Sequence, residues 1–233
     1  MEGKRLELFI DGQFDQRVLF TANKIINAGY TGRNQEEVRK HIEELKLLGV
    51  PAPDQVPTYY PKPAALLTSD ESIEIADTDN TGEAEYVLLI GENETVYVAA
   101  GSDHTDRKLE GLNNILKAKQ MCPNFISKAV WRLEDVETHW DDIIIRSWVN
   151  GHSEAAYQES KLSAMMGPRE LIERVKPLVA GPMAGTVIYS GTVGTLGEIK
   201  FNNRFEMELV DKVRGQRLYC GYYLKLINWF AGC

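Results

Sequence analysis

The sequence TGEAEYVLLIG at residues 81–91 decides the fold, because two glutamates lead directly into an unbroken apolar strand. A second strand-like run, TVYVAA, follows at residues 95–100. Continuous apolar strands are typical of a sheet interior, so these two strands are expected to be buried neighbours. Residues i and i+2 of a strand point to the same face, so Glu83 and Glu85 project together where the first strand begins.

Two adjacent carboxylates at a buried strand end require a neutralising cation, or water if the strand end is solvated. The segment GSDHTDR at residues 101–107 follows the second strand, so pairing of the strands brings Asp103 near the glutamates. Three carboxylates without cysteine or histidine ligand spacing suit a hard cation such as Mg²⁺ or Mn²⁺. The alternatives are a solvated strand end for the glutamates and a helix N-cap for Asp103.

Composition restricts the class of protein. The chain has 233 residues, of which 43% are hydrophobic, so it is long enough for one large domain and is not intrinsically disordered. Its net charge of -8 argues against nucleic-acid and anionic-membrane partners. No apolar run approaches the roughly 20 residues of a membrane helix. The first seven residues contain acid early and lead into an alternating strand pattern, which does not resemble a signal peptide. The three cysteines, Cys122, Cys220 and Cys233, are far apart, which favours a reduced, cytoplasmic location.

The pattern of hydrophobic residues predicts a β-rich α+β domain. A hairpin is expected at residues 4–20 and the clearest helix at residues 35–48. Five prolines within residues 50–63 predict an extended connector, neither a central strand nor a helix. One helix is expected at residues 106–120, with its leucines on one face, and another begins at Pro168. Further strands are predicted at residues 143–149, 185–190, 205–209 and 216–224.

Three other segments carry candidate functional side chains. Arg33 in a Gly-Arg-Asn loop suits a carboxylate or phosphate partner, and a surface salt bridge is the equal alternative. His41 and Glu44 share a helix face, either as a general-base dyad or as an ordinary exposed contact. The glycine- and threonine-rich loop at residues 191–197 lacks the lysine of a P-loop, but it offers backbone N–H groups and a threonine hydroxyl to an anion.

In this order, five segments resemble the fumarylacetoacetate hydrolase superfamily. They are GRN at 32–34, EAE at 83–85 entering YVLLIG, the segment at 103–107, VNG at 149–151 followed by Gln158, and SGTVGTLG at 190–197. The wording of GYTGR at 29–33 and of GSDHTDR is similar, within that superfamily, to a bacterial branch known as domain of unknown function 2848.

The resemblance implies a mixed β-roll core with a few peripheral helices. An N-terminal hairpin segment at residues 1–22 would precede a catalytic domain at residues 23–233. Glu83, Glu85 and Asp103 would hold the cation, which is Mg²⁺ or Mn²⁺, or Ca²⁺ in a crystal.

The resemblance also implies roles for other side chains. Lys128 corresponds to the active-site lysine, with Lys117 and Lys119 as nearby candidates. Thr192, Arg33 and Gln158 would contact substrate, although Val193 replaces the proline that follows the family's threonine. The lid histidine and glutamate would be His41 and Glu44, about one helical turn later than the family places them.

These expectations together predict a metal-dependent enzyme that acts on a 2-oxo or 2,4-dioxo acid. C–C hydrolysis through a metal-stabilised enolate, as in an acylpyruvate hydrolase, ranks first, and decarboxylation or dehydration ranks next. Arg33 and Lys128 would attract the anionic small-molecule substrate, and the helix at residues 35–48 would be a mobile lid. We also expect a homodimer. The rival hypothesis is a non-catalytic ligand-binding protein that has kept the fold.

Overall fold

The computed structural model describes residues 3–47, 52–53, 55–151, 155–199, 201 and 203–229. The strands of this part of the chain are β1 (Lys4–Ile10), β2 (Gln13–Ala22), β3 (Lys24–Gly29), β4 (Thr58–Lys62), β5 (Leu67–Thr68), β6 (Ser72–Ile75), β7 (Asn80–Thr81), β8 (Ala84–Ile90), β9 (Val96–Asp103), β10 (Thr105–Asp106), β11 (Asn124–Ile126), β12 (Ala129–Arg132), β13 (Ile144–Val149), β14 (Gln158–Lys161), β15 (Thr186–Tyr189), β16 (Arg204–Asp211) and β17 (Gln216–Leu226). The α-helices are α1 (Gln35–Leu47), α2 (Arg107–Gly111), α3 (Ile115–Gln120) and α4 (Pro168–Val175). Short 3₁₀ segments lie at Ala64–Leu66, Glu92–Glu94, Leu133–Asp135, Glu137–Asp142, Leu162–Ala164 and Lys176–Leu178.

Two sheets carry the fold. The larger has the order β2-β1-β12-β9-β8-β15-β3-β4, with β11 and β5 branching from β9, and it mixes parallel and antiparallel pairs. The smaller has the order β14-β13-β16-β17-β6. The expectation of a β-rich mixed core with few helices is therefore confirmed. The N-terminal hairpin belongs to the large sheet, because β1 pairs with β12.

The central strand β8 explains the unbroken apolar run in the sequence. All seven of its residues are buried, because both of its faces pack against core. On one face, Tyr86 and Leu88 join a cluster that includes Met207 of the smaller sheet. On the other face, Val87 and Leu89 join a separate cluster with β1. Because β8 is covered on both sides, a carboxylate at its entrance is also held away from bulk water.

The helix predicted over residues 106–120 is wrong, because the structure divides it into α2 and α3. The break contains Asn113, whose φ of 60° lies in the left-handed region that asparagine tolerates better than most residues. The predicted leucine face is also wrong, since Leu112 is 71% exposed. The break turns α3 so that Ala118 and Lys119 are its buried residues.

The proline-rich stretch contains a strand that the sequence analysis did not predict. Strand β4 pairs only with β3 and so closes one edge of the large sheet. An edge strand tolerates Pro61, because one side of its backbone needs no hydrogen bond from a neighbour. Because β4 is an edge strand, its position is consistent with the expectation that this proline-rich stretch forms no central strand.

Helix α1 begins where the sequence predicts, and its start is anchored. The Asn34 side chain accepts hydrogen bonds from the backbone N–H groups of Glu36 and Glu37, at 3.2 and 3.3 Å. This is the usual N-cap arrangement for asparagine. The helix has 13 residues, and no helix in the described part of the chain is long and apolar enough to cross a membrane.

The close packing around β8 and β9 leaves no room for a side chain at Gly101, which can be tested by substitution. A Cβ at this position would lie 2.5 Å from Val87 Cγ2 and 2.7 Å from the Phe125 carbonyl oxygen. We expect Gly101→Ala to lower the free energy of unfolding by about 1–3 kcal/mol or more, the usual cost of overpacking. Urea denaturation provides the measurement.

The matched control is Gly111→Ala at the end of α2, where a Cβ would meet nothing within 4 Å. This variant should be neutral or slightly more stable, because alanine favours a helix over glycine by up to about 1 kcal/mol. Equal stabilities of the two variants would contradict the packing described for β8 and β9.

Candidate metal centre

Three predicted ligands meet at one end of β8 and β9. Glu85 lies opposite Gly101 in the antiparallel pair, and the Asp103 N–H donates to the Glu83 carbonyl oxygen at 3.2 Å. Glu83, Glu85 and Asp103 therefore project from the same face of neighbouring strands. Each offers a carboxylate oxygen within 4.8 Å of the other two. The strand pairing thus produces the convergence that the spacing predicts.

Three side-chain cations from three other elements neutralise this cluster. The ammonium of Lys119, on α3, contacts Asp103 and lies 3.3 Å from Glu83. Arg107, which begins α2, donates to Glu83 at 3.0 Å. Lys62 of β4 lies 3.4 Å from the second oxygen of Asp103. Three acids and three cations meet here, so the side chains alone are close to neutral when all are ionised.

The protonation of the acids follows from these contacts. Burial alone would raise the pKa of Glu83, but Lys119 and Arg107 hold it at about 2. For Glu85, burial raises the pKa well above its usual value, and the carboxylates of Asp103 and Glu83 add to that effect. Glu85 is 1% exposed and accepts a hydrogen bond from the Gly191 N–H at 2.8 Å. Glu85 is therefore the member of the cluster that most needs a further cation in order to be ionised.

The donor set fits a divalent cation. Carboxylate oxygens are the ligands that Mg²⁺ and Mn²⁺ prefer, and three of them within reach of one point leave coordination positions for water or substrate. An ion within reach of all three oxygens would add to the charge of Lys62, Arg107 and Lys119 and would favour the ionised form of Glu85. Glu83, Glu85 and Asp103 would hold the ion.

A cavity of about 600 Å³ opens above this cluster. Its floor contains Glu83, Glu85 and Lys119. The loop that follows β15, including Thr192, forms part of its wall, and Tyr30 and Tyr60 line it as well. A small organic acid can therefore approach the carboxylate cluster from one side.

Gln158 forms hydrogen bonds that hold the loop after β15 in place. Its oxygen accepts from the Ala84 N–H and the Ser147 hydroxyl, at 3.1 and 2.8 Å. Its amide nitrogen donates to Thr192 Oγ1 and the Val193 carbonyl, at 2.8 and 2.6 Å. All of its side-chain hydrogen-bonding capacity is used within the protein and it is buried, so it positions Thr192, and its expected contact with substrate stays a prediction.

The structure does not bring Arg33 to the cavity. Its guanidinium forms two 2.7 Å hydrogen bonds to the Asp141 carboxylate and one of 3.0 Å to the Met165 carbonyl. The carboxylate that binds Arg33 is thus Asp141 of the protein itself. This is the surface salt bridge that the sequence analysis gave as the alternative to a ligand contact. Arg33 anchors the chain just before α1.

Lys128 is also displaced from its expected place. It is exposed and lines a different cavity, together with Arg217 and Asp70. Its backbone carbonyl accepts from the Phe9 N–H at 3.0 Å, so the chain at Lys128 lies beside β1 and not at the carboxylate cluster. Lys119, one of the two nearby candidates, has the expected position. Lys117 is exposed.

The proposed dyad lies outside the described side chains. The backbone of α1 carries His41 and Glu44, but their side chains are not among those the structure describes. Glu37 and Val38 of the same helix do line the cavity. The lid expectation for α1 therefore stays a prediction.

A chain of buried hydrogen bonds leads from His104 to the backbone of Glu83. Burial, with the nearby cations Arg107 and Lys62, lowers the pKa of His104 to about 3, so its ring is neutral. Its Nε2 donates to Asn80 Oδ1 at 2.8 Å, which leaves Nδ1 to accept from the Tyr222 hydroxyl at 2.9 Å.

The same chain continues to the backbone of Glu83. Tyr222 accepts from the Ser102 hydroxyl at 2.9 Å, and Ser102 accepts from the Glu83 N–H at 3.1 Å. The neutral histidine therefore fixes the direction of every hydrogen bond up to the carboxylate cluster.

Sequence reasoning missed Lys62 and the role of Arg107. Arg107 stands in the GSDHTDR segment, in which the sequence predicted a site role for Asp103 alone. Lys62 lies among prolines in a stretch that predicted only a connector. No local pattern marks it, because its contact with Asp103 depends on the pairing of β4 with β3.

The hydrogen-bond chain predicts a defect in Tyr222→Phe. The ring should stay in place, because it stacks on Phe125 at 3.4 Å. Loss of the hydroxyl leaves the Ser102 O–H without an acceptor and His104 Nδ1 without a donor, which should lower the free energy of unfolding by about 1–3 kcal/mol. Mn²⁺ affinity should fall as well, measured by calorimetric titration.

Tyr223→Phe is the control, because Tyr223 is the next residue of β17 and is 48% exposed. Its stability and Mn²⁺ affinity should match those of the unmodified protein. A Tyr222→Phe protein with unchanged stability and affinity would show that the chain does not support the cluster.

Comparison with known proteins agrees with this architecture. A provisionally named fumarylpyruvate hydrolase from Burkholderia cenocepacia superposes with a TM-score of 0.68 at 17% identity, covering 98% of each chain. A provisionally named fumarylacetoacetate isomerase/hydrolase from Oleispira antarctica gives a TM-score of 0.67 at 20% identity, covering 93% of this chain and 98% of that one. The 5-carboxymethyl-2-hydroxymuconate delta-isomerase of Mycobacterium smegmatis gives 0.64 at 18% identity, covering 92% and 82%.

No curated protein matches the sequence. A family model does match it: the one described as protein of unknown function DUF2848 covers residues 28–222. Identities at this level to the solved structures show the fold and not the reaction. The chain therefore belongs to the DUF2848 family and has the fold of the fumarylacetoacetate hydrolase proteins.

Proposed function

We propose that this protein is a divalent-metal-dependent enzyme that acts on a 2-oxo or 2,4-dioxo acid. The observation that carries the proposal is the convergence of Glu83, Glu85 and Asp103 at the floor of a cavity, with the Lys119 ammonium among them. A bound Mg²⁺ or Mn²⁺ supplies Lewis acidity at the oxygens of a chelating substrate.

The charge of the floor supports an anionic substrate. The three carboxylates and the cations Lys119, Arg107 and Lys62 balance one another. A bound divalent ion would therefore leave an excess of positive charge at this end of the cavity, which would attract an anionic substrate. A 2-oxo acid brings a carboxylate and an adjacent carbonyl oxygen, which suits two open coordination positions.

Lys119 is the side chain we assign to substrate binding. It lines the cavity, and the carboxylates of Asp103 and Glu83 raise its pKa against the opposing effect of burial, so it stays charged. A permanently charged ammonium beside the metal ligands can hold the substrate carboxylate and orient it. Thr192, fixed by Gln158, forms the adjacent wall.

C–C hydrolysis of a 2,4-dioxo acid is the reaction we propose first. Water adds to C4, the C3–C4 bond breaks, and C3 leaves with the electron pair, which is conjugated with the 2-oxo group, and then takes up a proton. The products are pyruvate and a carboxylic acid. Several proteins of this fold are named as hydrolases or isomerases of related acids, which supports this class of reaction.

A substrate screen tests the proposal. The protein is incubated with a set of 2-oxo and 2,4-dioxo acids, with Mg²⁺ or Mn²⁺ and with chelator, while pyruvate and CO₂ are measured. We expect metal-dependent pyruvate release that the chelator abolishes. Release of CO₂ without pyruvate would indicate a decarboxylase, and metal-indifferent behaviour with no turnover would contradict enzymatic function.

Two lysine variants sharpen this test. Lys119→Met should reduce kcat/KM by about 10²-fold or more, because a charged contact in a closed site is lost, while Mn²⁺ binding is retained or strengthened. Lys128→Met removes the same charge outside the cavity and should leave both quantities unchanged. The opposite ranking would restore Lys128 as the active-site lysine.

A further inference from the structure

The outer part of the cavity has a different character from its floor. Around the mouth lie the aromatic rings of Tyr30 and Tyr60 and the carboxylates of Glu37 and Glu110. Of the lining residues that the structure describes, Lys119 on the floor is the one that carries positive charge. With a divalent ion bound, the cavity would therefore be cationic at the metal end, and it is aromatic to acidic at the far end.

Tyr30 has an unusual backbone conformation. Its φ of 56° lies in the left-handed region, which is rare for a bulky residue. Such conformations persist where surrounding structure enforces them, and they are concentrated at functional sites. At Tyr30 the next residue holds this conformation, because the Thr31 hydroxyl donates a hydrogen bond to the Ser190 carbonyl at 2.5 Å. The ring of Tyr30 then forms part of the cavity wall.

The two acids of the mouth differ in how they are neutralised. Glu110 accepts a 2.6 Å hydrogen bond from Arg107, so its charge is largely balanced. Glu37 is exposed on α1, and no salt bridge joins it to any other described side chain. Its negative charge therefore acts on whatever occupies the far end of the cavity.

We propose, resting on the function proposed above, that this mouth selects 2-oxo acids whose far end is uncharged and rejects those with a second carboxylate. Tyr30 and Tyr60 provide flat apolar surface for an uncharged acyl chain. A terminal carboxylate would be drawn from water into contact with these rings and would face the charge of Glu37. Tyr30 and Glu37 are thus specificity-determining residues.

The test uses pairs of acids that differ only at the far end. For turnover, 2,4-dioxoheptanoate is compared with 2,4-dioxoheptanedioate, in which a carboxylate replaces the terminal methyl group. For binding without C–C hydrolysis, 2-oxohexanoate is compared with 2-oxohexanedioate by calorimetry on the Mn²⁺-loaded protein. We expect the monoacid of each pair to be favoured by about tenfold, in kcat/KM and in affinity.

The charge of Glu37 is tested by Glu37→Lys, with Glu36→Lys as the control. Glu36 is the preceding residue of the same helix, is exposed and does not line the cavity. Glu37→Lys should reduce the preference for the monoacid by about fivefold or more, and less so in 0.5 M salt, because salt screens exposed charges. Glu36→Lys should leave the preference unchanged. Tyr30→Leu should weaken binding of the monoacid more than that of the diacid.

The outcomes separate this inference from the proposed function. If neither acid of a pair binds or reacts, the proposed function fails and the inference fails with it. If both bind and the diacid is equal or better, the proposed function stands and the inference alone is overturned. Equal effects of the two glutamate variants would also overturn it.

Discussion

The structure depends on one electrostatic constraint, the burial of three carboxylates at a single point. Glu83, Glu85 and Asp103 cannot be buried side by side unless positive charge reaches them. The charge comes from Lys119 on α3, Arg107 on α2 and Lys62 on β4. Lys62 is 41 residues from Asp103 in the sequence and is placed by the pairing of β4 with β3, so the complete cluster forms only when the large sheet has assembled.

The rest of the fold holds this cluster in a fixed geometry. The pairing of β8 with β9 sets the three acids on one face, and Gly101 allows Val87 to pack closely beside them. Behind the cluster, Tyr222 connects Ser102 to the neutral His104. Such a network is costly if any member is left without a partner, which explains why it is complete. The geometry of the carboxylate cluster is therefore maintained both by the packing of β8 against β9 and by the hydrogen-bond chain through Tyr222.

Local patterns predicted the parts of the site that lie within one strand or at its end. The E-x-E spacing gave Glu83 and Glu85 a common face, and the apolar runs of β8 and β9 placed Asp103 beside them. The family resemblance extended this to the overall fold. Each of these inferences depends on a short stretch of chain whose periodicity carries the information.

The remaining parts of the site could not be predicted, because they depend on contacts distant in sequence. Lys119, and not Lys128, contacts the acids, because the break at Asn113 between α2 and α3 leaves Lys119 on the buried side of α3. Arg33 turns away because Asp141, more than a hundred residues later, takes its guanidinium. No local pattern contains either fact.

A crystal structure of the Mn²⁺-soaked protein, with anomalous scattering collected at the manganese edge, tests the central claim most directly. We predict one anomalous peak in the cavity floor, with an oxygen each from Glu83, Glu85 and Asp103 at about 2.0–2.3 Å. The Lys119 ammonium should lie beside the ion, displaced from its contact with Asp103. A floor without a peak, in which Lys119 remains between the acids in the presence of millimolar Mn²⁺, would contradict the account.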